Sequence, residues 1–571
     1  MLAYVSYIVM TSFKPDHYYL YTELTELLQN FAAKYPELAA LESLGKTSEQ
    51  RDIWILTITA AKTGKHSEKP AVWIDANTHA GEVTGCQAAL YFANKLLTEY
   101  GKNNELTSLM DQLTFYIVPR ISADGAELYL TTPNTLRSSV LKWPHTELIE
   151  AHYQKDMDND GRILMMRKAD PAGAFKISKK NTEIMIPRDH IDWDLKKETY
   201  YHLYTEGEFN QYDGFTKNFS HANAFDLNRQ FASGFRPEGE QNGAGPYPQF
   251  LPEAQILVKA VTDRPNISVA HTYHTYGGMV LRSPALYEDE KMDTRDLFIT
   301  KSLSENAAEK MGYKVYNIFK DFRYDPKDLT TGTFDEWLYS HRGIFSATIE
   351  IWDIAKTAGT PFKAPLDCYF CPSEDHLIAI YNWCQSHLPK NSFHISWKPF
   401  HHPQLGDIEI GGWDWKYTFQ NPPKKFLESE LEKVFNGTLS IAKACPVVKI
   451  ESVQKTKLSE NQWKLELIIK NEGYLPTNGS AQAIVSAASK KPRVFMTLDP
   501  KMKLIIGKPD FEIEHLAGRS ARGHFRSPVW YAEIANQHEK KLEWVIEGKG
   551  QIQVKLNLER GGILNTTIDL S

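Results

Sequence analysis

The stretch Ala71-Val72-Trp73-Ile74-Asp75-Ala76-Asn77-Thr78-His79-Ala80-Gly81-Glu82 decides how the rest of the chain is read. Its first four residues are an unbroken apolar run, the pattern of a strand buried on both faces. Val83 to Tyr100, directly after it, reads as a helix. His79 and Glu82 therefore sit on the turn where a strand ends and a helix begins. Ligand and catalytic sites of open α/β sheets gather at that edge. An imidazole and a carboxylate on one turn can face a common point, and both are ordinary Zn²⁺ ligands. A hydrolytic zinc needs a third protein ligand and one open position. Alone, the pair also fits a turn-closing histidine and a helix-capping glutamate, so the rest of the chain has to decide.

The chain of 571 residues is too long for one ordinary core, and two or three domains are expected. Hydrophobic residues at 42% and charged residues at 24% are those of a globular protein. The 65 basic and 71 acidic residues leave a net charge of −6, and there is no basic run, which argues against a nucleic-acid partner. No stretch approaches a membrane span. The apolar opening Met1 to Met10 has neither a basic region nor a small-residue cleavage site, so the expected location is cytoplasmic, with Met10 an alternative start. Five cysteines, an odd count for a disulfide framework, fit a reducing compartment. Cys368, Cys371, Cys384 and His387 have the spacing of a structural zinc set, but the apolar neighbours Tyr381, Trp383 and Leu388 favour a core helix.

Tyr18 to Tyr35 carries apolar residues at helical spacing and is closed by Pro36. Asp52–Ile58, Leu113–Pro119, Asn266–Tyr276 and Gly343–Asp353 read as strands, and Arg295–Met311 and Glu374–His387 as helices. Alternating strands and helices predict an α/β fold with a mixed, mostly parallel central sheet flanked by helices. Residues 13–394 form this catalytic unit, with a polar, loop-rich insert at about 131–220. Residues 395–445 read as a linker of loops and one helix. From 446 to 571 apolar residues alternate with polar ones, as in Trp463-Lys464-Leu465-Glu466-Leu467, which predicts an all-β sandwich. Its ligand is not legible. Within the insert, Asp156, Asp158 and Asp160 with Gly161 form the start of a Ca²⁺ loop, but position 12 is Arg167 rather than a bidentate glutamate. Bound Ca²⁺ and a solvated acidic turn both fit.

The third zinc ligand should come from another strand end, where His271 and His274 are the candidates. Residues three apart on a strand face opposite sides. His274 lies nearer the strand end at Gly277-Gly278 and is the choice. A zinc-bound histidine passes its other N–H to a carboxylate or carbonyl, and Asp226 suits that role. Asn228 and Arg229 beside it can grip a carboxylate. Glu350 interrupts an apolar strand, where a carboxylate is costly unless paired or functional, and suits a general base.

Four motifs, His79-Ala80-Gly81-Glu82, Asp226-Leu227-Asn228-Arg229, His274-Thr275-Tyr276 and Thr348-Ile349-Glu350-Ile351, occur in that order. In this the chain resembles the zinc metallocarboxypeptidases of the carboxypeptidase A type, as a bacterial-like member with an insert, over about residues 15–390. The resemblance implies one Zn²⁺ held by His79, Glu82 and His274. It implies Glu350 as the base toward a water on the zinc, Asp226 orienting His79, and Asn228 and Arg229 holding the terminal carboxylate of a peptide or protein. It implies Phe334 in the turn that selects the C-terminal residue, hence an apolar or aromatic preference, and Tyr324 as the mobile tyrosine. The implied activity is removal of a C-terminal residue. Cell-wall stem peptides as substrates, or a silent binding protein on the same fold, are the alternatives. The chain departs from the pattern in three ways. His79 and His274 lie 195 residues apart. Gly81 stands where an arginine of the cleft is common. No arginine lies in Gln211–Ala224 to stabilise an oxyanion, which leaves Lys217, Arg162 or Arg167 as stand-ins.

Overall fold

The computed structural model describes residues 12–141, 152–194, 198–210, 212, 214, 225–325, 327–370, 372–521 and 537–570. The readings made on Met1–Met10, on Cys371 and on most of 211–224, including Lys217, fall outside them. Among the described residues no helix is long and apolar enough to cross a membrane.

Eight strands build the central sheet: β1 (Ala39–Lys46), β2 (Asp52–Ile58), β3 (Ala71–Ala76), β4 (Thr114–Val118), β5 (Ile267–Thr275), β6 (Met279–Arg282), β7 (Lys314–Asn317) and β8 (Phe345–Ile351). Their order is β1-β2-β4-β3-β5-β8-β6-β7. The pairs β4–β3, β3–β5 and β5–β8 are parallel, while β1–β2, β2–β4 and β8–β6 are antiparallel. Every residue of β3, β5 and β8 is buried, the polar Ser346, Thr348 and Glu350 of β8 included. Glu350 thus lies on an interior strand, not an edge.

Helices cover both faces. On one side α1 (Val83–Glu99), α2 (Thr294–Met311) and α4 (Lys424–Ala442) share a core with Tyr273, Phe345 and Ile349. On the other, α3 (Phe334–Arg342) packs Phe334, Trp337 and Leu338 with Phe231, Trp73 and Ala270. The helix α4 belongs to the region read as a linker, and that reading needs correcting. It packs on α2 and α1 and closes the face of the sheet.

Two more strands of the same region, His394–His402 and Gly406–Trp413, also correct it. They join Met165–Ala169, Tyr200–Thr205, Phe175–Ile177 and Met185–Pro187 of the insert in one six-stranded sheet, antiparallel in every pairing. The insert and the stretch after 394 are therefore one substructure, with its own small core around Met166, Ile408 and Ile410. Cys384 is buried and His387 exposed, and they do not converge with other described residues on a metal-binding group.

From Val448 onward two four-stranded antiparallel sheets enclose one apolar core that includes Leu465, Leu467, Trp544 and Val554. This unit is pinned to the catalytic one. Arg560 is fully buried and donates to the carbonyls of Arg342 and Gly343, and Ser480 Oγ donates to Gly343 at 2.7 Å. The Asp296 carboxylate of α2 accepts the backbone N–H groups of Ala481 at 2.8 Å and Gln482 at 3.0 Å.

Candidate functional site

The turn after β3 is folded by Asn77, in a left-handed conformation at φ 60°. Its side-chain amide donates to the carbonyls of His79 at 2.7 Å and Ala80 at 3.0 Å. Glu82 precedes α1 without capping it, so its carboxylate is free to turn inward. His79 Nδ1 lies 2.7 Å from one oxygen of Glu82, and His274 Nδ1 lies 2.9 Å from the other. The two Nδ1 atoms face each other at 3.1 Å. His271 points to the opposite face of the sheet and bonds Thr438 at 3.0 Å.

Two imidazole nitrogens and one carboxylate aimed at a common point are the three-ligand donor set of a catalytic zinc. On its far side His79 Nε2 meets Asp226 at 3.2 Å, the carboxylate partner such a ligand normally has. The residues present fit a zinc ion. The charges agree: burial works against the Glu82 carboxylate, yet His79 and His274 hold it down at about 2. Burial and Arg137 oppose the imidazolium of His79, but Glu82 and Asp226 outweigh them and raise its pKa. Asp226, despite burial, is held well below the ordinary range by Arg137, Arg229 and His79.

Glu350 is in register with His274 across the β5–β8 pair, so both side chains leave the same face. It is buried, and one carboxylate oxygen has no hydrogen-bond partner. Burial first and the Glu82 charge second push its pKa well above the usual carboxylate range. Beside it lies a small cavity whose walls include Asn228, Arg229, Tyr324, Asp335 and Thr348. Asn228 is fixed through its side-chain amide oxygen Oδ1, which accepts Phe334 N–H at 2.9 Å, and Arg229 donates to the Asn228 backbone carbonyl at 2.7 Å. Tyr324 stands at the rim, 43% exposed, against Phe322 and Phe370.

Two sequence expectations need correction here. Phe334 does not face the cavity. It is buried against Phe231 at 4.8 Å between ring centres and stacked on Trp337. The cavity receives its neighbour Asp335, which is 2% exposed and has a carboxylate oxygen without a hydrogen-bond partner. The second correction concerns arginine. Arg162 is 3.8 Å from Asp414 and Arg167 is paired with Glu409 at 2.8 Å, both away from the cavity lining. The guanidinium at the site is that of Arg137, which sequence reasoning missed. Its Nε donates to Asp226 at 2.6 Å, and the residue is part of the cavity lining. The backbone carbonyls of Leu136 and Arg137 accept from Gly81 and Ala80, which ties this segment to the metal turn. Arg137 stands near the start of the insert, whereas the expected position was just ahead of Asn228, at the insert's far end.

The calcium expectation finds no support. Asp156 and Asp158 converge with Glu206, but Asp160 does not join them. The Asp156 oxygens accept the N–H groups of Asp160 and Gly161, and Glu206 accepts those of Met157 at 2.6 Å and Leu164 at 2.9 Å. The carboxylates are engaged in folding their own turn.

Residues 24–171 and 198–381 match the family described as zinc carboxypeptidase, and residues 447–569 match a domain of unknown function, DUF8731. The chain is similar to human carboxypeptidase D, 33% identical over 110 residues, which is 19% of this chain and 8% of the relative. It is similar to rat carboxypeptidase A2, 31% identical over 128 residues, 22% of this chain and 30% of the relative. These matches therefore span less than a third of each relative's length. Among solved structures it is similar to carboxypeptidase A from Helicoverpa armigera, with a TM-score of 0.41 and 15% identity, covering 67% of this chain and 75% of that one. The family match takes in more than half of the chain and includes every residue placed at the metal turn, the cavity and the base: the chain belongs to the zinc carboxypeptidase family.

Proposed function

We propose that this chain is a zinc-dependent carboxypeptidase that removes a basic residue from the C-terminus of a peptide. The observation that carries the reading is one small cavity lined together by Asn228, Arg229, Asp335, Glu350 and two members of the His79–Glu82–His274 cluster, His79 and His274. A substrate's terminal carboxylate pairs with Arg229, whose planar donors suit it, with the Asn228 side chain beside it. That contact places the last peptide bond beside Glu350.

Asp335 supports the basic preference. A buried carboxylate without a partner is costly, and its surroundings are acidic. Burial, with Asp335 adding to it, pushes Asp75 well above the carboxylate range and Glu336 to about 8. A lysine or arginine side chain entering the cavity supplies the missing partner. An apolar one leaves the carboxylate unpaired.

A zinc ion bound by His79, Glu82 and His274 would supply Lewis-acid polarisation of the scissile carbonyl and a more acidic water. Glu350, its pKa raised by burial and by the Glu82 charge, takes the proton of the attacking water and returns it to the leaving amine. Arg137 directs its free N–H groups at the carbonyl oxygen as negative charge develops there, the kind of donor whose loss costs about 10²–10³-fold in rate. Asp226 holds Arg137 and His79 together. With Arg137 in place, the silent-binding reading loses the missing arginine that motivated it.

A pair of peptides ending in lysine, one with a free carboxylate and one amidated, tests this reading. Release of lysine, followed by mass spectrometry, is expected from the free acid at least about 100-fold faster, since a truncated charge pair with Arg229 costs a few kcal/mol. Equal cleavage would rule out carboxypeptidase action.

A further inference from the structure

The zinc carboxypeptidase match ends at residue 381, yet the chain just after every metal-site residue is gripped from beyond that point. The grip is a short π-helical turn, Lys416–Gln420, flanked by Trp415 and Asn421. Asn421 is fully buried. Its amide donates to the Gly81 carbonyl at 2.8 Å, and its oxygen accepts Thr84 N–H at 3.1 Å and Thr84 Oγ1 at 2.8 Å. Gly81 and Thr84 bracket Glu82, so one side chain spans the ligand's two flanks. Glu82 provides no cap for α1, and Asn421 satisfies the Thr84 N–H of its first turn from outside.

The same segment reaches the other two strand ends. The Thr418 carbonyl accepts the indole N–H of Trp352, two residues after Glu350, at 2.8 Å. Trp415 packs edge-on against Tyr276, two residues after His274, at 6.2 Å between ring centres. Gln420 accepts Tyr129 Oη at 2.8 Å, and these two residues fill the space beside Gly81. A Cβ there would come within 2.8 Å of the Tyr129 ring and 2.9 Å of the Gln420 amide. The place where a side chain at position 81 would enter is taken by the segment instead.

We propose that residues 415–421 form a positioning strap of the metal centre, in which Asn421 sets the place of Glu82 and the Thr418 carbonyl, through Trp352, that of Glu350. The proposal rests on the zinc reading above. Hydrogen-bonding partners that orient a metal ligand are worth about 10–100-fold in metal affinity or activity. Asn421→Ala removes both halves of the bracket. Its zinc dissociation constant, from competition with a chromogenic chelator, is expected to rise by about 10–100-fold. Trp352→Phe removes the N–H that the Thr418 carbonyl accepts, along with half of the buried indole, and keeps an aromatic ring in place. It is expected to lower kcat by about fivefold, the worth of one hydrogen bond, with KM and zinc affinity unchanged.

A merely structural tie would lower the melting temperature of zinc-free Asn421→Ala and leave zinc affinity within twofold of wild type. That result overturns the strap. Should Asn421→Ala not fold, Trp352→Phe with kcat within twofold of wild type overturns it instead. A wild-type chain that takes up no zinc overturns the reading of the site itself, which tight wild-type binding with an unchanged Asn421→Ala does not.

Discussion

Glu350→Gln is expected to keep its zinc and lose turnover by roughly 10³-fold or more, within the range for removal of a general base. The substitution is close to isosteric, and Glu350 is not among the three residues of the metal cluster. Stability should move the other way. The folded-state pKa of Glu350 is raised by burial and by Glu82, so the folded chain holds this proton more tightly than the unfolded chain. The native state then binds more protons, and stability falls as pH rises from the unfolded value near 4.3 through the folded one. A neutral amide removes that loss. Zinc-free Glu350→Gln at pH 7 should therefore melt no lower than wild type. Metal analysis, steady-state hydrolysis of a lysine-ending peptide and a melting curve on one preparation check all three. Residual activity within tenfold of wild type would take Glu350 out of the mechanism.

The second large effect falls on specificity. Asp335→Asn is expected to lower kcat/KM for lysine- and arginine-ending peptides by about 100-fold, because one partner of a buried charge pair is lost. Peptides ending in leucine should be unaffected or gain, since no carboxylate is then left unpaired. Competition between matched peptides differing only in the last residue measures the ratio directly. An unchanged ratio would mean that Asp335 does not face the substrate side chain.

The convergence of His79, Glu82 and His274 was legible because His79 and Glu82 sit close on one turn and His274 lies near the end of a strand, just before Gly277-Gly278. The interior strands were legible from their β-branched and aromatic residues, although β5 and β8 also carry buried polar ones. Asp335 was misread by one position, although a local signal was present. Phe334, Trp337 and Leu338 stand at i, i+3 and i+4, the core stripe of a helix, which turns Asp335 to a different side. Arg137 was hidden because most of the insert lies between it and Asn228, so distance along the chain concealed their proximity. The six-stranded sheet was beyond local reading. Its pairing of Gly406–Trp413 with Met165–Ala169 joins segments far apart in sequence, and neither declares its partner. The strap at 415–421 was illegible for a related reason, since its grip depends on backbone carbonyls and on one buried asparagine.

His79, Glu82 and His274 are expected to hold the ion on which peptide cleavage depends. The most direct measurement is zinc content and hydrolysis of a lysine-ending peptide on one preparation, before chelation, after it, and after stepwise return of zinc. The expected result is one zinc per chain, activity lost with the metal, and full recovery at one equivalent. Cleavage that persists in metal-free protein, or a His79→Ala His274→Ala chain that still binds one zinc and cleaves, would contradict it.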